Sequence, residues 1–353
     1  MRKAVVYLFL ILGFFGFAKF SAASAAAKTP VSAQPQDPTP VAPPAHLVPE
    51  NLLAVGNGSI YPPYVFVADK HHRTLSVWKF KNEVPHLVGY YAMGIGKRHG
   101  NKEVSGDDKT PQGVYFIQRR LEMANIDYQK YGIRAFTLNY PNFFDRLEGK
   151  SGFGIWLHAV PKTESLAEGS EGCVVVRNAT IQKLTPYVVL KRTPVVILSK
   201  VDYVTPAKLA KERKAALNWL ESWRKAWEDK DINAYMSHYA KNFIGQFKSF
   251  RMNRHEWRKY KESLNKRYKT IRVVVQDPMV LTHDNQAIFH FIQQYNSSGI
   301  NDVGEKTLYT ERNSAGQYKI LSEVWRPLGP DVIQAKSGAS LTASDLNDES
   351  AAR

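Results

Sequence analysis

Cysteine is the scarcest residue of this 353-residue chain, which contains a single one, Cys173. One thiol excludes a disulfide within the chain, so Cys173 is either a packed apolar side chain or a reactive group. The chain also lacks a long apolar run near its start, because residues 5–17 fall short of the about 20 residues that a membrane helix needs. Acidic residues are few as well, since 32 Asp and Glu stand against 48 Lys and Arg.

The first residues have the layout of a secretory signal peptide. Arg2 and Lys3 form a charged start, residues 5–17 are apolar, and residues 21–27 are small and contain A-x-A cleavage sites. We expect residues 1–27 to be removed on export, the alternative being an uncleaved N-terminal anchor. The proline-rich residues 28–50 predict an extended linker, and residues 331–353 predict a disordered tail.

Positive charge is in excess, with a formal net charge of +16. The basic residues are dispersed, and many lie in the C-terminal half between Lys208 and Lys269. For an exported protein this favours attraction to an anionic envelope polymer or membrane surface, and it argues against nucleic acid as a partner. For any single lysine, a solvated helix face is the simpler interpretation.

Two regions of different pattern follow the linker. In residues 51–203, short β-branched and aromatic segments alternate with Gly- and Pro-rich turns, which predicts a mostly β sandwich or barrel with one short helix in 178–190. In residues 204–330, three helical patterns precede four strand-like ones, which predicts a smaller α+β domain. The predicted strands of the first region are 64–68, 75–80, 86–93, 114–117, 136–138, 154–158, 173–176 and 194–198. The second region is predicted to form helices 207–229, 231–243 and 254–268, then strands 271–275, 286–295, 305–312 and 318–325.

Cys173 begins one predicted strand, and His158 ends the strand before it. Neighbouring strands would bring a thiol beside an imidazole base, as nucleophilic cysteine catalysis requires. Gly172 lets a substrate carbonyl approach closely, and the N–H groups of Gly172 and Cys173 are the expected oxyanion donors. Either the Ala159 carbonyl or the Ser170 hydroxyl would orient the imidazole. The alternative is a packed cysteine and a structural histidine.

The order of short motifs over residues 62–200 resembles the L,D-transpeptidase catalytic domain. These motifs are V-A-D-K, T-L-S-V, M-G-I-G, K-T-P-Q-G-V-Y, G-I-W-L-H and Ser170-x-Gly172-Cys173 followed by Asn178. The resemblance implies that Cys173 is the nucleophile and His158 its base, with no metal or other cofactor. It also implies peptidoglycan stem peptides as substrate, attacked at the L-configured centre of meso-diaminopimelate with loss of the terminal D-Ala.

Two positions depart from the family pattern. Glu171 stands where the family has a histidine before the glycine, and Val175 stands where it has an arginine. Arg177 is the expected replacement for that arginine in binding a substrate carboxylate. Asn178 and Glu171 complete the expected substrate-binding residues.

Residues 208–327 resemble a nuclear-transport-factor-2-like domain. The resemblance rests on Trp219, Trp223 and Trp227 at helical spacing, and on later strands that end near Trp325. Such cones often carry a pocket, and the alternative is that the aromatic residues are only core. The expected roles are to bind the cell wall, to place the catalytic domain, or to pair with a second copy or a wall protein.

The two domains together resemble the cell-shape-determining L,D-carboxypeptidases of helical and curved Gram-negative bacteria. The stretch of residues 131–141 supports that branch. The resemblance implies a periplasmic enzyme in which water resolves the thioester, so that tetrapeptide stems are trimmed to tripeptides and cell curvature changes. With an amine acceptor the enzyme would form 3-3 crosslinks or attach or release a wall-bound lipoprotein. The remaining alternative is a protein that only binds peptidoglycan.

Overall fold

The structure, a computed structural model, describes residues 37–56, 60–247 and 250–328. The predicted signal peptide (1–27), the first part of the linker (28–36) and the predicted tail (331–353) lie outside the described residues. Two short strands come first, β1 (Val48–Pro49) and β2 (Leu52–Ala54). They occupy the end of the predicted linker and the start of the predicted first domain.

β-branched and aromatic residues build the strands of the first domain, and most of them are buried, as in Pro194–Leu198, where every residue is. Hydrogen bonds join eight strands in the order β5-β4-β3-β10-β6-β7-β8-β9, in which β3–β10 and β8–β9 are parallel pairs. The mostly β, sandwich-like fold is therefore confirmed. The strands are β3 (Tyr64–Asp69), β4 (Thr74–Lys81), β5 (Val84–Ala92), β6 (Gly113–Glu122), β7 (Arg134–Leu138), β8 (Trp156–Val160), β9 (Val174–Arg177) and β10 (Pro194–Leu198). Short helices lie between them: α1 (Tyr128–Tyr131), α2 (Phe143–Leu147) and α3 (Asn178–Leu184).

β9 lies at one end of this strand order, and a loop covers its outer side. Gly94 donates to and accepts from Val175 at 2.8 and 2.9 Å, so the loop after β5 continues the hydrogen bonding beyond β9. A core that includes Phe66, Tyr115 and Phe136 supports the sheet. The end of the sheet that carries the predicted nucleophile is thus fixed on both sides.

The second domain begins with a helix that the sequence caps well. The Thr205 side chain accepts a hydrogen bond from the Lys208 N–H, and Pro206 occupies the first helical turn. Four long strands and β2 form a sheet in the order β17-β16-β15-β14-β2, which confirms the α+β second domain. The elements are β11 (Tyr203–Val204), α4 (Pro206–Glu228), α5 (Ile232–Ser237), β12 (Ile244–Phe247), β13 (Phe250–Asn253), α6 (Arg254–Arg267), β14 (Ile271–His283), β15 (Gln286–Ser297), β16 (Asn301–Arg312) and β17 (Tyr318–Pro327).

Two boundaries differ from the predicted ones. β14 runs to His283 and not to residue 275, because a shift of register between Gln276 and Met279 accommodates Pro278, which has no N–H to donate. The helix predicted for 231–243 ends at Ser237. The His238 side chain there lies against the Ala234 carbonyl at 2.9 Å, and the chain leaves the helix toward β12.

The domain boundary also differs in one respect from the expected division at residues 51 and 204. β2 pairs with β14 of the second domain, whereas β1 pairs with β11 just before α4. Leu52 and Leu53 are buried in the core that includes Trp223. Residues 48–54 therefore join the two domains. Within the described residues, none of the helices has both the length and the apolar character that crossing a membrane requires.

Candidate active site

Cys173 and His158 lie on the same face of two neighbouring parallel strands. His158 of β8 is paired with Val175 of β9, and Cys173 comes directly before β9. Side chains alternate along a strand, so Cys173 and Val175 point to the same side as His158. Both Cys173 and His158 line a cavity of about 550 Å³. The structure thus brings together the two residues that the sequence singled out.

The Cys173 thiol is buried, with a relative exposure of 8%. Its sulfur accepts a hydrogen bond from the Trp156 N–H at 3.4 Å and donates to the Gly154 carbonyl at 3.6 Å. Burial raises the pKa of the thiol to about 11, although the Trp156 N–H favours the thiolate. The resting nucleophile is therefore a neutral thiol.

The His158 imidazole is buried and oriented by the backbone. Its Nδ1 lies 2.9 Å from the Ala159 carbonyl, which can only accept, so Nδ1 carries the proton and Nε2 is free to take one. Burial lowers the pKa of His158 to about 4, against the Ala159 hydrogen bond. The ring of Tyr131 meets the imidazole edge-on at 5.2 Å. Of the two groups expected to orient the base, the Ala159 carbonyl is the one beside it.

Ser170 holds the turn that leads to the nucleophile. Its hydroxyl donates to the Cys173 carbonyl at 2.8 Å and accepts from the Gly172 N–H at 3.1 Å. The Gly172 N–H is thus engaged, and it is not free as an oxyanion donor in this state. Gly172 has φ 120°, and a Cβ there would come 2.7 Å from the Lys109 carbonyl oxygen. Only glycine fits this close approach.

Arg177 lies away from the position expected of a substrate-binding residue. Its guanidinium binds the Asp37 carboxylate and donates to the Pro161 and Glu164 carbonyls, the latter two at 2.6 Å. Among the described residues that line the catalytic cavity, Val175 is present and Arg177 is not. This geometry favours a role in fixing the turn after β8.

The other two expected substrate-binding residues, Asn178 and Glu171, differ in position, and only Glu171 lines the cavity. The Asn178 side chain accepts from the Ile133 N–H at 3.0 Å and donates to the Tyr128 hydroxyl at 3.3 Å, so it anchors α1. Glu171 does line the cavity, where it pairs with Lys130 at 3.2 Å. Sequence patterns do not point to Lys130, because only the fold brings α1 beside the cysteine loop.

Lys70 holds the loop before the K-T-P-Q-G motif, a role that the sequence does not indicate. It is buried, and its ammonium donates to the Gly100 and Thr110 carbonyls at 2.5 Å each. Thr110 in turn accepts from the Gly96 N–H at 2.8 Å. These contacts tie β3 to the loop that carries the K-T-P-Q-G motif. The motif therefore fixes the chain directly after Asp108, which lines the cavity.

Elsewhere, the aromatic residues of the second domain are divided between core and cavity. Trp223 is fully buried, whereas Trp227, Trp257 and Tyr260 line a cavity of about 110 Å³ together with Lys261. Among the described residues, His, Cys, Asp and Glu side chains form no group of three or more that could hold a metal ion. The absence of a metal from the reaction remains a prediction.

The strand order and the Cys–His cavity define a catalytic domain of the L,D-transpeptidase type. Residues 62–197 match the L,D-transpeptidase catalytic domain family, and residues 215–324 match the Cds6 C-terminal NTF2-like domain. The chain belongs to the L,D-transpeptidase catalytic domain family and carries a C-terminal NTF2-like domain.

Two solved structures share both domains. Bd1075 of Bdellovibrio bacteriovorus has a TM-score of 0.74 and 39% sequence identity, over 80% of this chain and 99% of that one. Pgp2 of Campylobacter jejuni, described as a helical cell shape determining protein, has a TM-score of 0.60 and 25% identity, over 76% of this chain and 96% of that one.

A curated relative covers the catalytic domain alone. YafK of Escherichia coli K12, named as a candidate L,D-transpeptidase, is 27% identical over 128 residues. The match covers 36% of this chain and 47% of YafK, so the chain spans about half the length of that relative.

Proposed function

We propose that the protein is a periplasmic, peptidoglycan-editing L,D-carboxypeptidase that removes the terminal D-Ala from tetrapeptide stems. Cys173 is the nucleophile and His158 the base. One observation carries the proposal: both side chains face the same cavity from neighbouring parallel strands, and the imidazole Nε2 is free to accept a proton. Family membership supports the same chemistry.

In the first half of the proposed reaction, His158 Nε2 takes the thiol proton as the Cys173 sulfur attacks the carbonyl carbon at the L-centre of diaminopimelate. The imidazolium then protonates the D-Ala nitrogen as the C–N bond breaks, which leaves a thioester. The Ala159 carbonyl faces Nδ1 throughout and stabilises the transient imidazolium. This order of proton transfers suits a thiol and an imidazole that are both neutral at rest.

In the second half, His158 Nε2 removes a proton from water as its oxygen attacks the thioester carbonyl. The C–S bond breaks, the sulfur takes the proton back from His158, and the tripeptide leaves as a carboxylic acid that loses its proton to the solvent. The Cys173 N–H is the proposed oxyanion donor, because the Gly172 N–H is bound to the Ser170 hydroxyl.

The two-domain organisation supports hydrolysis over transpeptidation. The likeness to Bd1075 and Pgp2 extends over nearly the whole of both structures, and Pgp2 is described as a determinant of helical cell shape. We accordingly propose a role in cell curvature. An amine acceptor in place of water would give 3-3 crosslinks or act on a wall-bound lipoprotein. A protein that only binds peptidoglycan is disfavoured by the Cys173–His158 arrangement.

The test is muropeptide analysis by liquid chromatography and mass spectrometry. Purified sacculi are incubated with the wild type or with Cys173→Ala. Loss of tetrapeptide with an equal gain of tripeptide, in the wild type alone, is the expected result. New 3-3 dimers would assign a transpeptidase instead, and an unchanged profile with both proteins would overturn the enzymatic proposal.

A further inference from the structure

One ion pair bridges the rim of the catalytic cavity. Lys130 at the end of α1 and Glu171 in the cysteine loop lie 3.2 Å apart, with side chains 53% and 65% exposed. Both line the cavity that contains Cys173 and His158. Glu171 is only two residues before the nucleophile, so a ligand bound at Cys173 passes beside this pair.

The backbone beneath Lys130 is firmly attached to the catalytic strands. Asp127 caps α1 by accepting from two backbone N–H groups, and the Asn178 amide binds both ends of the helical segment. Tyr131 packs against Trp156 at 4.7 Å as well as against His158. The charged side chain can therefore move while its attachment point stays fixed.

Two other cations near the cavity, Arg177 and Lys102, are held by protein groups and are less suited to bind a substrate. Arg177 is held by Asp37 and two carbonyls, and Lys102 is buried against Asp107 at 2.7 Å. Lys130 is paired with the exposed Glu171 carboxylate and lies 5.6 Å from the centre of the Tyr131 ring, and an exposed ion pair contributes about 0–1 kcal/mol. Exchanging this partner for a ligand carboxylate therefore costs little.

We propose that Lys130 and Glu171 together recognise a zwitterionic group on the substrate, an ammonium and a carboxylate on one carbon. The free end of a meso-diaminopimelate side chain is such a group. Lys130 binds its carboxylate, and Glu171 binds its ammonium. The inference rests on the proposed function and assigns the third-residue specificity of the same site.

A zwitterion suits the pair better than a group of single charge. A ligand ammonium alone would compete with Lys130 for Glu171 and leave the lysine without a carboxylate. A ligand with both charges satisfies both side chains at once, because each gains a charge-assisted hydrogen bond. The third residue of the stem should therefore determine the rate.

The experiment uses the full chain and three soluble tetrapeptides, L-Ala-γ-D-Glu-X-D-Ala. X is meso-diaminopimelate, the same residue with its side-chain carboxyl amidated, or L-lysine. Release of D-Ala gives kcat/KM for each. We expect the wild type to prefer meso-diaminopimelate by about tenfold or more over both analogues, since each lost ionic hydrogen bond is worth roughly tenfold.

Lys130→Met should abolish the preference over both analogues, because both lack the carboxylate that Lys130 binds. Glu171→Gln should lower kcat/KM for all three peptides by about tenfold, because each of them carries the ammonium that Glu171 binds. Lys183→Met on α3, outside the cavity, is the matched control and should keep both preferences. An unchanged preference in Lys130→Met, or an unchanged kcat/KM in Glu171→Gln, would overturn the inference while leaving the carboxypeptidase intact. Failure of the wild type to release D-Ala from any of the peptides would instead count against the proposed function. Thermal unfolding verifies that each variant folds.

Discussion

The hydroxyl of Ser170 donates a hydrogen bond to the carbonyl oxygen of Cys173 at 2.8 Å. This contact closes the turn that presents the nucleophile, and the Ser170 hydroxyl oxygen also accepts a hydrogen bond from the Gly172 N–H. Ser170 therefore fixes the backbone of the turn, and the Ala159 carbonyl, not Ser170, orients the His158 imidazole.

Replacement of Ser170 by Ala should reduce kcat/KM by about tenfold, equivalent to about 1.4 kcal/mol. The reason is that the Cys173 carbonyl and the Gly172 N–H both lose their partner. Ser170→Thr retains the hydroxyl and should retain most of the activity. D-Ala release from a tetrapeptide measures both variants. Full activity of Ser170→Ala would show that the turn holds without this hydrogen bond.

Cys173→Ala and His158→Ala should each abolish D-Ala release, because one removes the nucleophile and the other its base. Tm should change little for Cys173→Ala, since the change is small in volume. Turnover by purified Cys173→Ala would exclude the thioester mechanism.

Alkylation of Cys173 should depend on pH well above neutrality. Burial raises the pKa of this thiol to about 11, so the thiolate fraction keeps rising from pH 8 to 10. The rate of iodoacetamide labelling in the substrate-free protein, followed by mass spectrometry, should increase over this whole range. A plateau near pH 8 would indicate an activated thiolate at rest, contrary to the structure.

Lys70→Met should destabilise the protein by about 1–3 kcal/mol, because two carbonyls lose their donor. Burial lowers the pKa of Lys70 to about 8 from 10.5. Between these values the unfolded chain binds more protons than the folded one, so this lysine makes stability rise with pH in that window. Urea unfolding at pH 7 and pH 10 should show this contribution in the wild type and its loss in Lys70→Met. Identical pH dependence in the two would contradict the assignment.

Arg177→Gln should leave KM for the tetrapeptide within about twofold of the wild-type value. Arg177 lies outside the cavity, and a residue that contacts the substrate in neither the ground state nor the transition state should change neither kcat nor KM. The turn at Pro161 and Glu164 should become more sensitive to protease, because it loses the arginine that binds both carbonyls. Asp37→Asn is the matched variant and should act in the same direction. A tenfold rise in KM for Arg177→Gln alone would restore the expected carboxylate-binding role.

Local patterns were sufficient for the strands and for the Cys173–His158 pair. β-branching in segments such as Pro194–Leu198 predicts burial without knowledge of their partners. The expectation that consecutive strands pair with each other also places β8 beside β9. The order of the short motifs along the chain was sufficient to predict the family. These are properties of short stretches, and a sequence displays them directly.

Contacts between residues that are far apart in the chain could not be predicted from the sequence. Lys130 meets Glu171 across 41 positions, and Asp37 meets Arg177 across 140. Neither pair leaves a periodic pattern in the sequence. Without Asp37 as a visible partner, Arg177 is therefore predicted to bind a substrate carboxylate. The neutral state of the thiol was also hidden, since burial in the folded protein sets it.

The pairing of β2 with β14 has a consequence for how the chain can be divided. Leu52–Ala54 lies before the catalytic strands in the chain but forms the edge of the second sheet, so the second domain is completed by residues that precede the first. A protein cut at residue 204 would lose the sheet that buries Leu52 and Leu53, and the released second domain would expose the edge of β14 to other chains. The second domain therefore has its complete sheet only in a chain that retains residues 52–54.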